Sequence, residues 1–184
     1  MCVITSDHGE ALGEHDYLGH GELHEPILQV PLVMHGPGVP NDRITARVNL
    51  VGLYRTIAAR IGPVPDHLRG VDLLGEAYQD DVFCQNYTNT WDWSRYGDNS
   101  DEGEHAYYQD GYKFIRRPAE RILYNVVDDP GETTNLANRR QTLVTEMANR
   151  YGDILSSLPD ADPSGDTSID SDTEQRLEDL GYLE

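Results

Sequence analysis

The chain has 184 residues, 33 acidic against 14 basic, and a formal net charge of −19. That balance argues against a nucleic-acid partner, because phosphate contacts need a basic face, and no apolar run approaches the ~20 residues of a membrane-crossing helix. Lys113 is the only lysine. An acidic, lysine-poor chain that keeps aromatic and β-branched residues in periodic segments reads as a folded protein adapted to high salt rather than a disordered one.

The N-terminal stretch MCVITSDHGE carries neither a basic region nor a long apolar one. No signal peptide is expected, and a cytoplasmic location follows as the expectation. Val3-Ile4-Thr5 reads as a buried β-strand. With nothing upstream to shield it, the expectation is that either the strand pairs with material outside this chain or the protein is a truncated form. It ends at Asp7-His8-Gly9, where a carboxylate and an imidazole stand side by side. In open α/β sheets ligands bind beyond the carboxyl ends of strands, so the pair is placed for chemistry, although an ordinary polar turn fits these residues equally well. Residues 9–29 are polar, with Gly13, Gly19 and Gly21, and Gln29 to His35 form a second apolar strand closed by Gly36-Pro37-Gly38.

Val48, Val51, Tyr54, Ile57, Ala58 and Ile61 fall at helical spacing before Gly62-Pro63 and predict a covering helix. Residues 63–81 read as a connection in which Asp80-Asp81 is a solvated turn. The texture then changes to short alternating strands at Val82–Tyr87, His105–Gln109, Tyr112–Arg116 and Arg121–Val127. Asp110-Gly111 between two of them is a two-residue hairpin signal. Trp91 to Glu104 reads as a packed surface loop. Asn138 to Leu158 is an amphipathic helix with Leu143, Met147, Tyr151, Ile154 and Leu158 near one face. Pro159 to Asp172 reads as a tether, and Ser171-x-x-Glu174 as the capping box of a last short helix ending at Gly181. Cys2 and Cys84 are too few for a disulfide framework and read as buried thiols. The expectation is an α/β portion over residues 1–81 and an antiparallel β subdomain with a packed helix over 82–184.

Histidines are concentrated early: His8, His15, His20, His24 and His35 fall within 28 positions. With Asp7, Glu10, Glu14 and Glu25 they supply ample ligands for a divalent cation, and adjacent carboxylate and imidazole suit calcium, magnesium, manganese or zinc. Gly19-His20-Gly21 allows close backbone approach, and a histidine there can donate to an anionic group. A mobile loop histidine explains the same residues equally well.

The segment VITSDHGEALGEHDYLGHGELHEPILQVPLVMHGPGV resembles the metal-binding segment of sulfatases in the alkaline phosphatase superfamily. The resemblance continues through VNLVGLYRTIAARIG, LRGVDLL, DGYKFIRR, LYNVVDDPGETTNLA and the terminal RLEDLGYL. It implies the C-terminal part of an alkaline-phosphatase-like α/β sandwich followed by a small antiparallel sheet. It also implies metal-dependent hydrolysis of a sulfate ester, on a small molecule or a glycan. Carried over residue by residue, it makes Asp7 and His8 metal ligands, with calcium first among the candidate ions. His20 falls where sulfatases place a Lys or His that contacts the sulfate ester. Lys113 lies in a strand that often borders the substrate pocket in the family, without a catalytic role.

Two departures stand out. Gly52 and Arg55 occupy helix positions where relatives tend to have Asp and Pro, and this bears on local packing. The family's nucleophile is a Cys or Ser converted to formylglycine within a Cys/Ser-x-Pro-x-Arg segment. Here Cys2 is followed by Val-Ile-Thr and Cys84 by Gln-Asn-Tyr. The resemblance therefore implies the C-terminal part of a sulfatase carrying half of the metal site, a fragment inactive alone, with a separately encoded N-terminal half as one candidate partner. Its alternatives are a phosphodiester or phosphonate ester hydrolase of the same superfamily, or a non-catalytic partner subunit.

Overall fold

The computed structural model describes residues 1–65, 68–75, 82–86, 104–117, 120–157 and Arg176. Met1–Asp153 form one compact unit and Ile154–Glu184 a second. The expected turn at Asp80-Asp81, the loop through Trp91, the tether, the capping box and the last helix lie outside the described residues. Among those described, no helix is long and apolar enough to cross a membrane.

Four alternating segments become one antiparallel meander, β5 (Val82–Asn86), β6 (Glu104–Gln109), β7 (Tyr112–Arg116) and β8 (Arg121–Asn125), in sequential order. The hairpin between β6 and β7 turns at Asp110 (φ 50°) and Gly111 (φ 78°), the left-handed pair that a two-residue turn demands. Gln109 pairs with Tyr112, which fixes the register so that alternate residues share a face. One face carries Val82, Ala106, Tyr108, Ile115, Ile122 and Tyr124, which pack with Leu23 from the histidine-rich segment. The other carries His105 and Tyr107, whose rings meet Tyr151 of α3 (Gln141–Ser157). A sheet covered on both faces explains why every residue of β6 from Glu104 to Tyr108 is buried. Met147 and Tyr151, four residues apart, are the buried positions of α3.

The N-terminal part is built differently. β1 (Cys2–Thr5) pairs antiparallel with β4 (Leu32–His35), Val3 opposite Met34. The expected buried strand is not found: Ile4 is 61% exposed and its neighbour across the ladder, Val33, 56%. The physical reason is that the described residues supply no layer over that face. Cys2 is likewise exposed, not a buried thiol, and Cys84 is half-buried. Between the two strands lie a two-residue ladder, β2 (Ala11–Leu12) with β3 (Leu18–Gly19), and a single helical turn, α1 (Glu25–Leu28).

The predicted covering helix shortens to α2 (Val51–Ala58) and turns its apolar stripe outward, with Tyr54 67% and Ile61 82% exposed. Its buried residues are instead Gly52 and Thr56. The Thr56 hydroxyl donates to the Gly52 carbonyl (2.7 Å) and accepts the Leu73 N–H (2.7 Å). Leu73 packs directly on Gly52. Small residues on that face let the 71–73 segment approach, so the departure at Gly52 has a packing consequence.

Candidate metal and substrate site

The end of β1 is fixed by its own polar residues. The Ser6 hydroxyl donates to the His8 carbonyl (2.6 Å), and the Asp7 carboxylate accepts the His8 N–H (3.0 Å). That backbone donor, then Asp7's own N–H and the His8 ring, hold the Asp7 carboxyl below the usual carboxylate range. Gly9 then anchors the turn: its N–H donates to the Ile27 carbonyl (2.8 Å), and a Cβ there would stand 2.1 Å from the Pro26 carbonyl oxygen. Only glycine lets the two backbones meet, and α1 thereby sets the position of Asp7-His8.

His8 Nδ1 lies 2.9 Å from the Gly9 carbonyl. A carbonyl can only accept, so Nδ1 donates to it, and Nε2 lies 3.8 Å from Asp7 Oδ2. The imidazole of His20 stacks on that of His8, with ring centres 4.2 Å apart and planes at 27°. His20 Nδ1 is 2.7 Å from Glu10 Oε1. A carboxylate on one ring nitrogen fixes the ring's orientation and leaves Nε2 as the nitrogen available to an anion. The backbone beside it is steadied by Tyr17, whose hydroxyl accepts the Gly21 N–H (2.8 Å).

The structure thus brings His8 and His20 together, keeps Asp7 beside them, and adds Glu10. One ligand atom from each of His8, Glu10 and His20 fits within a 4.8 Å span. Two imidazoles and two carboxylates at exposed positions fit a divalent cation by donor chemistry. Glu10 stood among the possible ligands by sequence, but its pairing with His20 had no signal beyond its place two residues after His8.

A second group lies deeper. Lys113 is fully buried, with Nζ 2.6 Å from Glu132 Oε1 and 3.4 Å from Glu25 Oε1. Glu25 also accepts from the Tyr108 hydroxyl (2.5 Å) and from Arg47 (3.1 Å). Burial alone would raise the Glu132 carboxyl. Hydrogen bonding from His24 and the Lys113 ammonium outweigh that and hold it at about 2. Lys113 therefore serves this buried network, not a substrate pocket.

No family model matches the chain. It is 28% identical over 171 residues to arylsulfatase K of Canis lupus familiaris, covering 85% of this chain and 31% of that protein. Among solved structures, the phosphonate monoester hydrolase of Agrobacterium radiobacter superimposes with a TM-score of 0.72 at 25% identity, over 84% of this chain and 34% of that one. A 2-O GAG sulfatase follows with a TM-score of 0.69 at 22% identity, over 88% and 39%. The chain is similar to sulfatases of the alkaline phosphatase superfamily. Its α/β architecture with a small antiparallel sheet and packed helix is that of these neighbours. The chain spans about a third of the length of the curated relatives it matches. A shorter stretch, 87 residues or 44% of the chain, is 34% identical to the low-salt glycan biosynthesis sulfotransferase Agl7 of Haloferax volcanii, covering 22% of that protein.

Proposed function

We propose that the chain supplies part of the active centre of a sulfuric ester hydrolase, with Asp7 and His8 as ligands of a divalent cation and His20 as the group that contacts the sulfate ester. The observation that carries this reading is the convergence of His8, Glu10 and His20 beyond the end of β1 in a chain similar to sulfatases. A cation held by Asp7 and His8 would supply Lewis-acid polarisation of the sulfuryl group. His20, oriented by Glu10, offers Nε2 to the sulfuryl oxygens and offsets their charge. Calcium is the first candidate, filling its six to eight oxygen positions from carboxylates and water. The substrate class is a sulfate ester on a small molecule or glycan, as the name of the GAG sulfatase neighbour suggests.

The chain contains no Cys/Ser-x-Pro-x-Arg segment, so the nucleophile comes from another polypeptide segment. Residues 1–81 form the catalytic α/β part and 82–184 the supporting β subdomain. A high-salt setting suits the net charge of −19. The test is co-expression with a polypeptide carrying that segment, assayed on an aryl sulfate beside an aryl phosphonate monoester. Sulfate turnover that needs both polypeptides and disappears in Asp7→Ala is the expected result. Substantial turnover by this chain alone contradicts the need for a second polypeptide. Preference for the phosphonate selects the second reading, a phosphonate ester hydrolase, which the match to the Agrobacterium radiobacter enzyme favours. A stable complex without turnover points to a non-catalytic subunit.

A further inference from the structure

The histidine-rich segment contributes a second imidazole pair that the proposed reaction does not use. His15 and His24 stack with ring centres 3.7 Å apart and planes at 11°. Glu132, brought in from beyond β8, sets Oε2 3.3 Å from His24 Nδ1 and 4.0 Å from His15 Nε2. One ligand atom from each of the three lies within a 4.8 Å span.

Two of these side chains, Glu132 and His24, are also held by groups outside the trio. The second oxygen of Glu132 takes the Lys113 ammonium at 2.6 Å, and Oε2 also accepts the Glu25 N–H at 2.7 Å. The other nitrogen of His24, Nε2, is 3.2 Å from Glu22 Oε2. Ligating histidines characteristically give their far nitrogen to a carboxylate, and ligating carboxylates are themselves hydrogen-bonded. The backbone adds to this. Four non-glycine residues among those described have positive φ, and two of them are His15 (55°) and Glu132 (52°). Left-handed backbone at non-glycine residues is costly and persists where the surroundings impose it.

We propose that His15, His24 and Glu132 form a second cation site, of the zinc class, that ties the histidine-rich segment to the turn after β8. Ligand bonds of about 2.0–2.1 Å in tetrahedral geometry put ligand atoms roughly 3.3–3.5 Å apart. The His24–Glu132 separation already meets that value, and His15, the least buried of the three, has roughly half an ångström to close. Two imidazole nitrogens and one carboxylate oxygen suit zinc or cobalt, and not calcium, which takes oxygen ligands. Charge permits it: Glu22, Glu25, Glu104 and Glu132 face Arg47, Lys113 and Arg117 in this network. Four carboxylates against three permanent cations leave one negative charge, which the His24 ring, set between Glu22 and Glu132, balances when protonated; a cation at Nδ1 would take the place of that proton.

The test is titration of the full chain with Co2+, read by visible absorption, followed by displacement with Zn2+. The expected result is a set of four-coordinate cobalt bands, erased by zinc and absent in His15→Ala. The same bands persist in His20→Ala, which disables the exposed cluster instead. His15→Gln serves as the second variant if His15→Ala loses its far-ultraviolet circular dichroism. Absence of the bands in the unmodified chain overturns the proposal. So does their survival in the His15 variants, or their loss in His20→Ala alone.

Discussion

The chain holds two imidazole pairs with the same kit of groups in opposite settings. His8 and His20 stack at the surface with Glu10, each side chain about half exposed. His15 and His24 stack over Glu132, whose carboxylate has no exposure. The difference teaches where function and stability divide. The exposed pair is held by short local contacts, Ser6 to His8 and Glu10 to His20, and under the proposed function it offers its ring nitrogens to an ion or a sulfate ester. The second pair, in which His24 is buried and His15 is not, is held by partners from across the fold, with Glu132 108 residues from His24. Removing Lys113 there leaves the buried Glu132 carboxylate without its ammonium, out of water.

The sharpest break in that comparison is Lys113→Ala. It strands Glu132 and Glu25 without their ammonium, and an uncompensated buried charge costs about 3–5 kcal/mol. Urea unfolding should show this as a large drop in midpoint, and a drop under 1 kcal/mol would mean that water or Arg47 replaces the lysine. Next comes acid. The Glu132 carboxyl is held at about 2 in the folded chain against an ordinary value of 4.5. The unfolded chain therefore takes up a proton that the folded chain refuses. The stabilisation is complete above pH 4.5 and is lost as the pH falls towards 2, by about 3 kcal/mol at 1.4 kcal/mol per unit. Stability measured across that range should lose this component of its slope in Glu132→Gln.

Gly9→Ala belongs in the middle. Its methyl would meet the Pro26 carbonyl, so the turn must shift, at roughly 1–3 kcal/mol. Thermal unfolding reads that cost, and cation binding at Asp7 and His8 should weaken with it. The smallest stability effect is expected for His20→Ala, within about 0.5 kcal/mol for an exposed side chain, alongside loss of sulfate ester turnover in the completed enzyme. A destabilisation like that of Lys113→Ala would erase the contrast between the two pairs.

The β-meander was legible because alternation and the Asp110-Gly111 turn are local signals, and β7 begins and ends where the pattern predicts. The N-terminal part was not, because burial there depends on layers that local periodicity does not report. Val3-Ile4-Thr5 carries the residues of a buried strand but stands exposed, and the stripe of Tyr54 and Ile61 points away from the surface that α2 packs. Asp7, His8 and His20 could be singled out by residue type, glycine spacing and family resemblance, and the structure places them together. Glu132 could not, since nothing in a turn of the form Asp-Asp-Pro-Gly-Glu points to a histidine more than a hundred residues earlier. Lys113 was visible as the only lysine, yet its partners, Glu25 and Glu132, emerge only from the fold.

In the proposed function the exposed cluster is the cation-binding end of the active centre. The most direct measurement is nuclear magnetic resonance of the histidine rings during titration with paramagnetic Mn2+, which reports weak sites. His35, exposed at the end of β4 and outside both clusters, is the internal control. The account predicts that His8 and His20 broaden at Mn2+ levels that leave His35 sharp, and that Asp7→Ala removes the difference. Broadening of His8 and His20 no faster than His35, or unchanged in Asp7→Ala, would contradict it.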